Sequence, residues 1–377
     1  MILFDLDVTQ PSGGAKRHGG GIYGEIVFKR ILQRKLDVCC FYNSKKWMNP
    51  EIKEIIEINN VKLYDIASQS IPEIMTKSGS QRIYCALPYH IDYKDLGYEI
   101  YTTIHGLRAL EEPADTLMFR YQRLPMILKL KYMIKKMAPK IGYKKAKEEM
   151  LSLLNNKNLH FVVVSNHTKY AIYSFFPDIM KDIKVFYSPS TVNYIVSKPD
   201  RPSNYFLIVS ANRWQKNALR AIMAFDNLFS VGIINEYQVK VTGCESPNEF
   251  SYKLRNPQRF DFLGYVSDEE LASLYANAYC LLYPSLNEGF GYPPLEAMFY
   301  GVPVICAAFS SVSEICEGAV MYTNPFSVEE IMNRILQMLD PDKRKEFSFR
   351  SLAQYDKIYK KQQRDLDLLI DYIYSGL

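Results

Sequence analysis

Tyr283–Gly301 reads YPSLNEGFGYPPLEAMFYG. An apolar run, Cys280–Tyr283, ends there as a buried strand would. A loop carrying Gly289 and Gly291 follows, and Pro293 and Pro294 then open a helical pattern. Proline is tolerated at that place because first-turn N–H groups have no helical partner. Gly301 stops the helix, and the next apolar run, Val302–Ala307, begins at once. A glycine-bearing loop feeding a helix from the carboxyl end of a parallel strand is an anion-binding arrangement. Glu288 and Glu296 frame the loop. Two carboxylates beside an anion site suit a ligand with both hydroxyls and phosphates.

Outward from this stretch, strands and helices alternate. Phe206–Ser210, Gln238–Thr242, Phe260–Leu263 and Cys280–Tyr283 read as strands. Asn217–Phe229, Asp268–Ala276, Pro293–Tyr300 and Val328–Leu339 read as helices. The N-terminal half repeats the pattern, with strands over Ile2–Val8, Val38–Tyr42, Arg82–Leu87, Ile100–Ile104, Phe161–Ser165 and Val185–Tyr187. Such alternation predicts parallel sheets covered on both faces. Ser188–Asn204, SPSTVNYIVSKPDRPSN, is the expected linker. The expectation is an N-terminal domain over 1–190 and a C-terminal domain over 205–354. A last helix, about 355–377, is expected to pack back on the first domain.

The spacing Glu288–seven residues–Glu296 within EGFGYPPLEAMFYGVPVI resembles the signature of the retaining glycosyltransferases of family four, the glycosyl transferases group 1. LIVSANRWQKN (Leu207–Asn217), VTGC (Val241–Cys244), FLGYVSDEELASLYANA (Phe262–Ala278) and SSVSEICEGA (Ser310–Ala319) are similar to that family's flanking segments. The resemblance covers about Phe206–Pro325 closely and the first half in outline. It implies the GT-B fold, α/β with two Rossmann-like domains facing across a cleft that closes on the donor. It further implies that Arg213 and Lys216 contact the diphosphate of a nucleotide sugar, Glu296 the ribose and Glu288 the transferred sugar. Gly289, Phe290 and Gly291 would supply backbone contacts, and Gly264, Tyr265 and Val266 would face the nucleobase. Ser311 and Glu314 are expected only to form a helix capping box.

In the first half, the loop SGGAKRHGGGIYGEIV (Ser12–Val27) follows the first strand. By the same resemblance, Gly19, Gly20 and Gly21 would reach donor phosphate and acceptor, with charge from Lys16, Arg17 and His18. Gly19, Gly21 and Gly24 also satisfy the dinucleotide-binding spacing GxGxxG. The strand is read as ending well before them, and no acid closes the second strand. His105 in TTIHGL is expected near the donor sugar, and His167 has a less defined role. Glu111 and Glu112 are expected on the acceptor side. The implied catalytic set is Glu288, His105, Arg213 and Lys216.

Composition narrows the class. The chain has 377 residues, with 48% hydrophobic and 23% charged, ordinary for a folded protein of two domains. The N-terminus MILFDLDVTQ has no basic region before its apolar run and reads as a strand, not a signal peptide. Seven cysteines without metal-type spacing suit buried thiols in a reduced cytoplasm. Arg120–Lys147 holds ten Lys/Arg and no acid; the remaining chain has 36 basic against 41 acidic residues. Apolar residues interleave with these cations, as at an interface with an anionic membrane. A solvated helical face has the same look.

No DxD pair stands in a donor-like setting, since Asp5 and Asp7 lie in the first strand, so no essential metal and no cofactor are expected. The reading is a retaining hexosyltransferase. It would take a sugar from a nucleoside-diphosphate sugar to a glycan or lipid-linked acceptor in bacterial polysaccharide or O-antigen assembly. It would be cytoplasmic, peripheral on the inner face of the plasma membrane, with no nucleic-acid partner. The alternatives are a noncatalytic sugar-nucleotide-binding protein and an NADP-dependent oxidoreductase.

Overall fold

The structure, a computed structural model, describes residues 1–11, 17–88, 97–138, 142–179, 182–192, 194–197 and 202–376, apart from the Lys135 side chain. The chain forms two compact units. One comprises Met1–Leu107, Glu148–Thr191 and Tyr359–Leu377, the other Arg108–Lys147 and Val192–Ile358.

In the first unit, β1 (Ile2–Asp5), β2 (Val38–Tyr42), β3 (Leu63–Asp65), β4 (Arg82–Cys85), β5 (Glu99–Ile104), β6 (Leu159–Val163) and β7 (Lys184–Val185) form one sheet, ordered β3-β2-β1-β4-β5-β6-β7. Every pairing is parallel. The strands β1 and β4 are almost wholly buried, as a sheet covered on both faces requires. β1 stops at Asp5, short of the expected Val8. The Asp5 carboxylate accepts from Val8 N at 3.1 Å, and Thr9 N bonds Leu6 O at 3.0 Å. These local bonds turn Asp7–Thr9 into a 3₁₀ helix. The last helix adds to this unit: Arg30 donates twice to Asp367, and Asp365 accepts from Tyr187 N at 3.0 Å.

In the second unit, β8 (Tyr205–Ile208), β9 (Gln238–Thr242), β10 (Phe260–Gly264), β11 (Cys280–Tyr283), β12 (Val304–Ala307) and β13 (Met321–Thr323) are ordered β10-β9-β8-β11-β12-β13, again all parallel. The helices predicted from sequence appear as Ala218–Ser230, Asp268–Asn277, Tyr292–Phe299 and Val328–Met338. β3 and β13, each three residues at a sheet edge, were not expected from the sequence.

Residues 108–147 fold with the second unit, which corrects their placement in a first domain over 1–190. The cause is long-range. Arg220 grips Asp115 with two bonds of 2.6 and 3.1 Å. Tyr121 packs edge-on against Phe250 at 5.1 Å, and Tyr132 against Trp214 at 4.8 Å. Leu117, Met118 and Tyr121 are buried in the same core as Phe206 and Phe225. No local pattern announces such contacts.

Candidate active site

β8 and β11 are neighbours in the sheet although β9 and β10 separate them in sequence. The chain leaves β8 toward one edge and returns at β11 toward the other, so their carboxyl ends form the topological switch point where such sheets bind ligands. Lys216 follows β8, and Glu288 follows β11.

These two residues meet. Lys216 Nζ donates to Glu288 Oε1 at 2.7 Å, with both side chains buried. Oε1 also accepts from Tyr283 OH at 2.6 Å and Ser285 Oγ at 2.5 Å. Burial favours the neutral acid. Lys216, Ser285 and Tyr283 together outweigh it and hold the carboxyl below its ordinary range. Oε2 takes no hydrogen bond among the described residues. The backbone is fixed as well: Glu288 N donates to Ser310 Oγ at 2.7 Å, and Ser311 Oγ donates to Glu288 O at 2.9 Å. One carboxylate oxygen is thus clamped by three donors, and the other is left to accept from a hydroxyl.

The Ser311–Glu314 capping box does not form. Ser310 is the N-cap of the helix Ser311–Cys316, without a side-chain cap bond, and Ser311 turns its hydroxyl to Glu288. Ser310 holds φ +49°, ψ −139°. A non-glycine residue there stores strain, and the bond to Glu288 N is what that conformation supports.

Gly291, at φ +107°, caps the helix Tyr292–Phe299. Pro293 and Pro294 fill its first turn and carry no N–H, which corrects the picture of a helix terminus rich in free donors. The anion-binding capacity lies in the loop instead. Among the described residues, the amides of Gly289 and Gly291 take no hydrogen bond. Phe290 between them is buried. Glu296, half-buried on that helix, lies against the buried phenol of Tyr275.

Arg213 is exposed and makes no ion pair among the described residues; its neighbours Trp214 and Lys216 are buried. The turn Trp214–Lys216 is hooked to the Glu288 loop, since Leu286 N bonds Gln215 O at 2.8 Å. Gly264 sits at φ +66° at the end of β10, followed by the exposed Tyr265 and the half-exposed Val266.

The remaining expected residues lie in the first unit or in 108–147. His105 Nε2 bonds Ala86 O at 2.9 Å. A carbonyl only accepts, so Nε2 carries the proton. Burial lowers the imidazole pKa to about 4, so the ring is neutral at pH 7 with Nδ1 as an acceptor. His18 caps the helix Gly19–Gln33 through Nδ1, which accepts from Gly21 N at 3.1 Å. A side chain at Gly20 would have to displace that of Leu87, since a Cβ would lie 2.6 Å from Leu87 Cδ1. The charge expected of Arg17 is engaged by Glu25 at 3.2 Å, and Lys16 lies outside the described residues. The GxGxxG reading fails on structure. Its glycines lie within the first turns of the helix, and Leu6–His18 separates them from β1, where the dinucleotide fingerprint needs a tight strand-to-helix turn. His167 stands in the first turn of the helix Asn166–Phe175. Glu111 ends a short helix of the second unit, and Glu112 is buried beside Tyr132. Tyr283 and Ser285 were missed by sequence reasoning. Their positions, five and three before Glu288 in a strand-end run, were the available signal.

Two all-parallel Rossmann-like units define the GT-B class of fold. WaaG, a glycosyltransferase involved in lipopolysaccharide biosynthesis, superposes with a TM-score of 0.65 at 15% identity, covering 98% of this chain and 99% of that one. HepE from Anabaena, in complex with UDP and glucose, gives 0.66 at 15%, with 98% and 99% covered. These are likenesses of fold. Residues 195–351 match the sequence model of the glycosyl transferases group 1. O-antigen chain mannosyltransferase B of Escherichia coli is 47% identical over 94 residues, 25% of each chain. O-antigen chain mannosyltransferase RfbU of Salmonella typhimurium is 29% identical over 171 residues, 44% of this chain and 47% of that one. The chain therefore spans between a quarter and about half the length of these relatives.

Proposed function

We propose that the protein is a retaining hexosyltransferase. It moves a sugar from a nucleoside-diphosphate sugar to a glycan or lipid-linked acceptor in bacterial polysaccharide or O-antigen assembly. The observation that carries this is the clamped Glu288, with its second oxygen available beside the exposed Arg213 and the unbonded amides of Gly289 and Gly291. Oε2 binds a sugar hydroxyl, while Arg213 and the third N–H of Lys216 meet the diphosphate. Glu296 takes the ribose, and Tyr265 offers its ring to the nucleobase. In the reaction, the bond from the anomeric carbon to the phosphate oxygen breaks and the acceptor oxygen bonds the same face. The departing phosphate oxygen takes the acceptor's proton. No protein nucleophile and no essential metal are needed for this step. The names of the relatives favour mannose as the sugar.

The test is a thermal-shift panel of UDP, GDP, dTDP, ADP and their sugar conjugates, with NAD(P) as control and EDTA present. One nucleotide family should shift the midpoint, and Arg213→Ala or Glu296→Ala should abolish the shift. A shift with NAD(P) alone would overturn the assignment, and inverted product stereochemistry would overturn retention. Turnover of any donor excludes a mere binding protein.

The second part of the reading is an anionic membrane surface as partner, on the inner face of the plasma membrane. On the helix Met126–Met137, Met126, Leu130, Met133 and Met137 lie at i, i+4, i+7 and i+11, with Ile127 and Ile134 beside them. All six are exposed, Met126 at 76% and Met137 at 80%. At 100° per residue, Lys131 flanks this stripe on one side, and Lys129 and Lys136 on the other. Apolar side chains enter the acyl boundary while each flanking cation adds about 1 kcal/mol near anionic headgroups. A second copy of the chain would set the same cations against each other. No helix among the described residues is long and apolar enough to cross a membrane. Charge-neutral substitutions at Lys129, Lys131, Lys135 and Lys136 should abolish binding to anionic vesicles. Unchanged binding, or self-association through this face in its place, would refute the docking.

A further inference from the structure

The membrane-docking helix and the donor loop share a contact. Tyr132 lies on the side of the helix away from the exposed apolar stripe and packs edge-on against Trp214, with ring centroids 4.8 Å apart. Its hydroxyl reaches Pro113 O at 3.4 Å, and Lys129 Nζ donates to Phe119 O at 3.2 Å. Trp214 is 4% exposed and begins the 3₁₀ turn Trp214–Lys216, directly after Arg213. Its other two residues lead to the site. Lys216 clamps Glu288, and the Gln215 carbonyl accepts from Leu286 N at 2.8 Å and Ser285 Oγ at 3.3 Å. The next helix is tied to the same segment, because Arg220 grips Asp115 and Leu219 N donates to Tyr121 OH at 3.4 Å. The stretch 115–132 therefore touches the protein just where the diphosphate cations are set.

We propose that the helix Met126–Met137 is a sensor of the anionic bilayer: docking steadies the Arg213–Lys216 turn through Tyr132 and Trp214 and tightens binding of the donor. The inference rests on the docking and donor-site readings above and adds a coupling between them. Off the membrane, the helix holds few buried side chains and its apolar stripe faces water, so it braces the turn loosely. On the membrane, the stripe is fixed, and the cost of ordering the turn has already been met before the nucleotide arrives. Coupling of this kind is reciprocal: whatever factor lipid gives nucleotide, nucleotide gives lipid.

The experiment measures Kd for GDP and for UDP on the full chain by calorimetry. It is run without lipid, with phosphatidylcholine vesicles, and with phosphatidylcholine/phosphatidylglycerol vesicles. Anionic vesicles should tighten the binding nucleotide by roughly five-fold or more, and neutral vesicles should not. Tyr132→Leu should still co-sediment with anionic vesicles but lose the tightening; Tyr132→Phe, which keeps the ring, should retain both. Vesicle binding with an unchanged Kd overturns the coupling and leaves the docking intact, as does tightening that survives Tyr132→Leu. Absence of vesicle binding overturns the docking and the coupling with it. Absence of binding by GDP and UDP, and by dTDP and ADP in the same assay, overturns the donor site and the coupling with it. If Tyr132→Leu fails to fold, the unaltered protein decides: saturating nucleotide must raise vesicle affinity by the same factor, and a mismatch overturns the proposal.

Discussion

Replacing Lys216 by methionine keeps the aliphatic stem and removes the charge that faces Glu288 at 2.7 Å. Glu288 would remain buried with only Tyr283 and Ser285 as donors to Oε1. Removing one partner of a buried pair costs about 3–5 kcal/mol, because the other charge is left desolvated. Two hydroxyl donors remain, so the expected loss is at the lower end, about 3 kcal/mol. That corresponds to a drop of roughly 6–12 °C in Tm for a unit of this size.

The pH dependence gives a sharper check. In the unaltered protein the Glu288 pKa lies below its ordinary 4.5, so its contribution is present above 4.5 and is lost as pH falls through the lowered value. Without Lys216, burial dominates and the pKa rises above 4.5. The native state then favours the protonated acid, so the deficit is largest at neutral pH and shrinks toward pH 4.5. Urea unfolding at neutral and mildly acidic pH, with Glu288→Gln and the double variant, completes the cycle. A coupling of about 2 kcal/mol or more is expected. A loss below about 1 kcal/mol, equal at both pH values and additive with Glu288→Gln, would refute the view that this pair organises the site.

Tyr283→Phe removes one bond from the same oxygen and one from Lys216; it should cost about 1–2 kcal/mol in urea and lower kcat more than it raises KM. Gly243→Ala should be much worse than Gly264→Ala. At Gly243, φ is +88° and a Cβ meets Ala211 N at 3.0 Å, the rigid backbone leading to Arg213; at Gly264 it meets only Glu245 Cγ, which can move. Urea titration should give about 1–2 kcal/mol for Gly264→Ala and roughly twice that for Gly243→Ala, which alone should also weaken nucleotide binding. His105 titrates at about 4 in the fold against 6.5 for the free group, so the unfolded chain takes the proton first and stability falls as pH drops from 6.5 toward 4. Near pH 5 that loss is about 2 kcal/mol. His105→Gln should flatten this part of the stability–pH curve, and an unchanged slope would contradict the buried neutral ring.

What could be read from the sequence is what local pattern encodes. β2 and β11 are continuous apolar runs and β9, QVKVT, alternates polar with Val, so all three match the expected residues end to end. The glycine–proline punctuation after Tyr283 marks the loop and helix because those residues act on their own backbone. The failures have the opposite character. β1 ends early because Asp5 bonds to Val8 N, a side-chain choice that hydropathy does not register. The edge strands β3 and β13, three residues each, are too short to show a period. The placement of 108–147 depends on Asp115 finding Arg220 more than a hundred residues away.

The site shows the same division, and the division explains why Glu288 alone would have misled. Its motif says that a carboxylate stands at a strand end, but not which of its oxygens is available. That is set by parts from three adjacent strand ends, Lys216 after β8, Tyr283 and Ser285 at β11, and Ser310 and Ser311 after β12. The sheet order β8-β11-β12 brings these together: the first two ends pin Oε1, and the third pins the backbone N and O. A carboxylate restrained at Oε1, N and O has little freedom left to adjust to its ligand. Its second oxygen therefore works as a preorganised acceptor, whose hydrogen bond to a sugar hydroxyl is made without the entropic cost of first ordering the side chain.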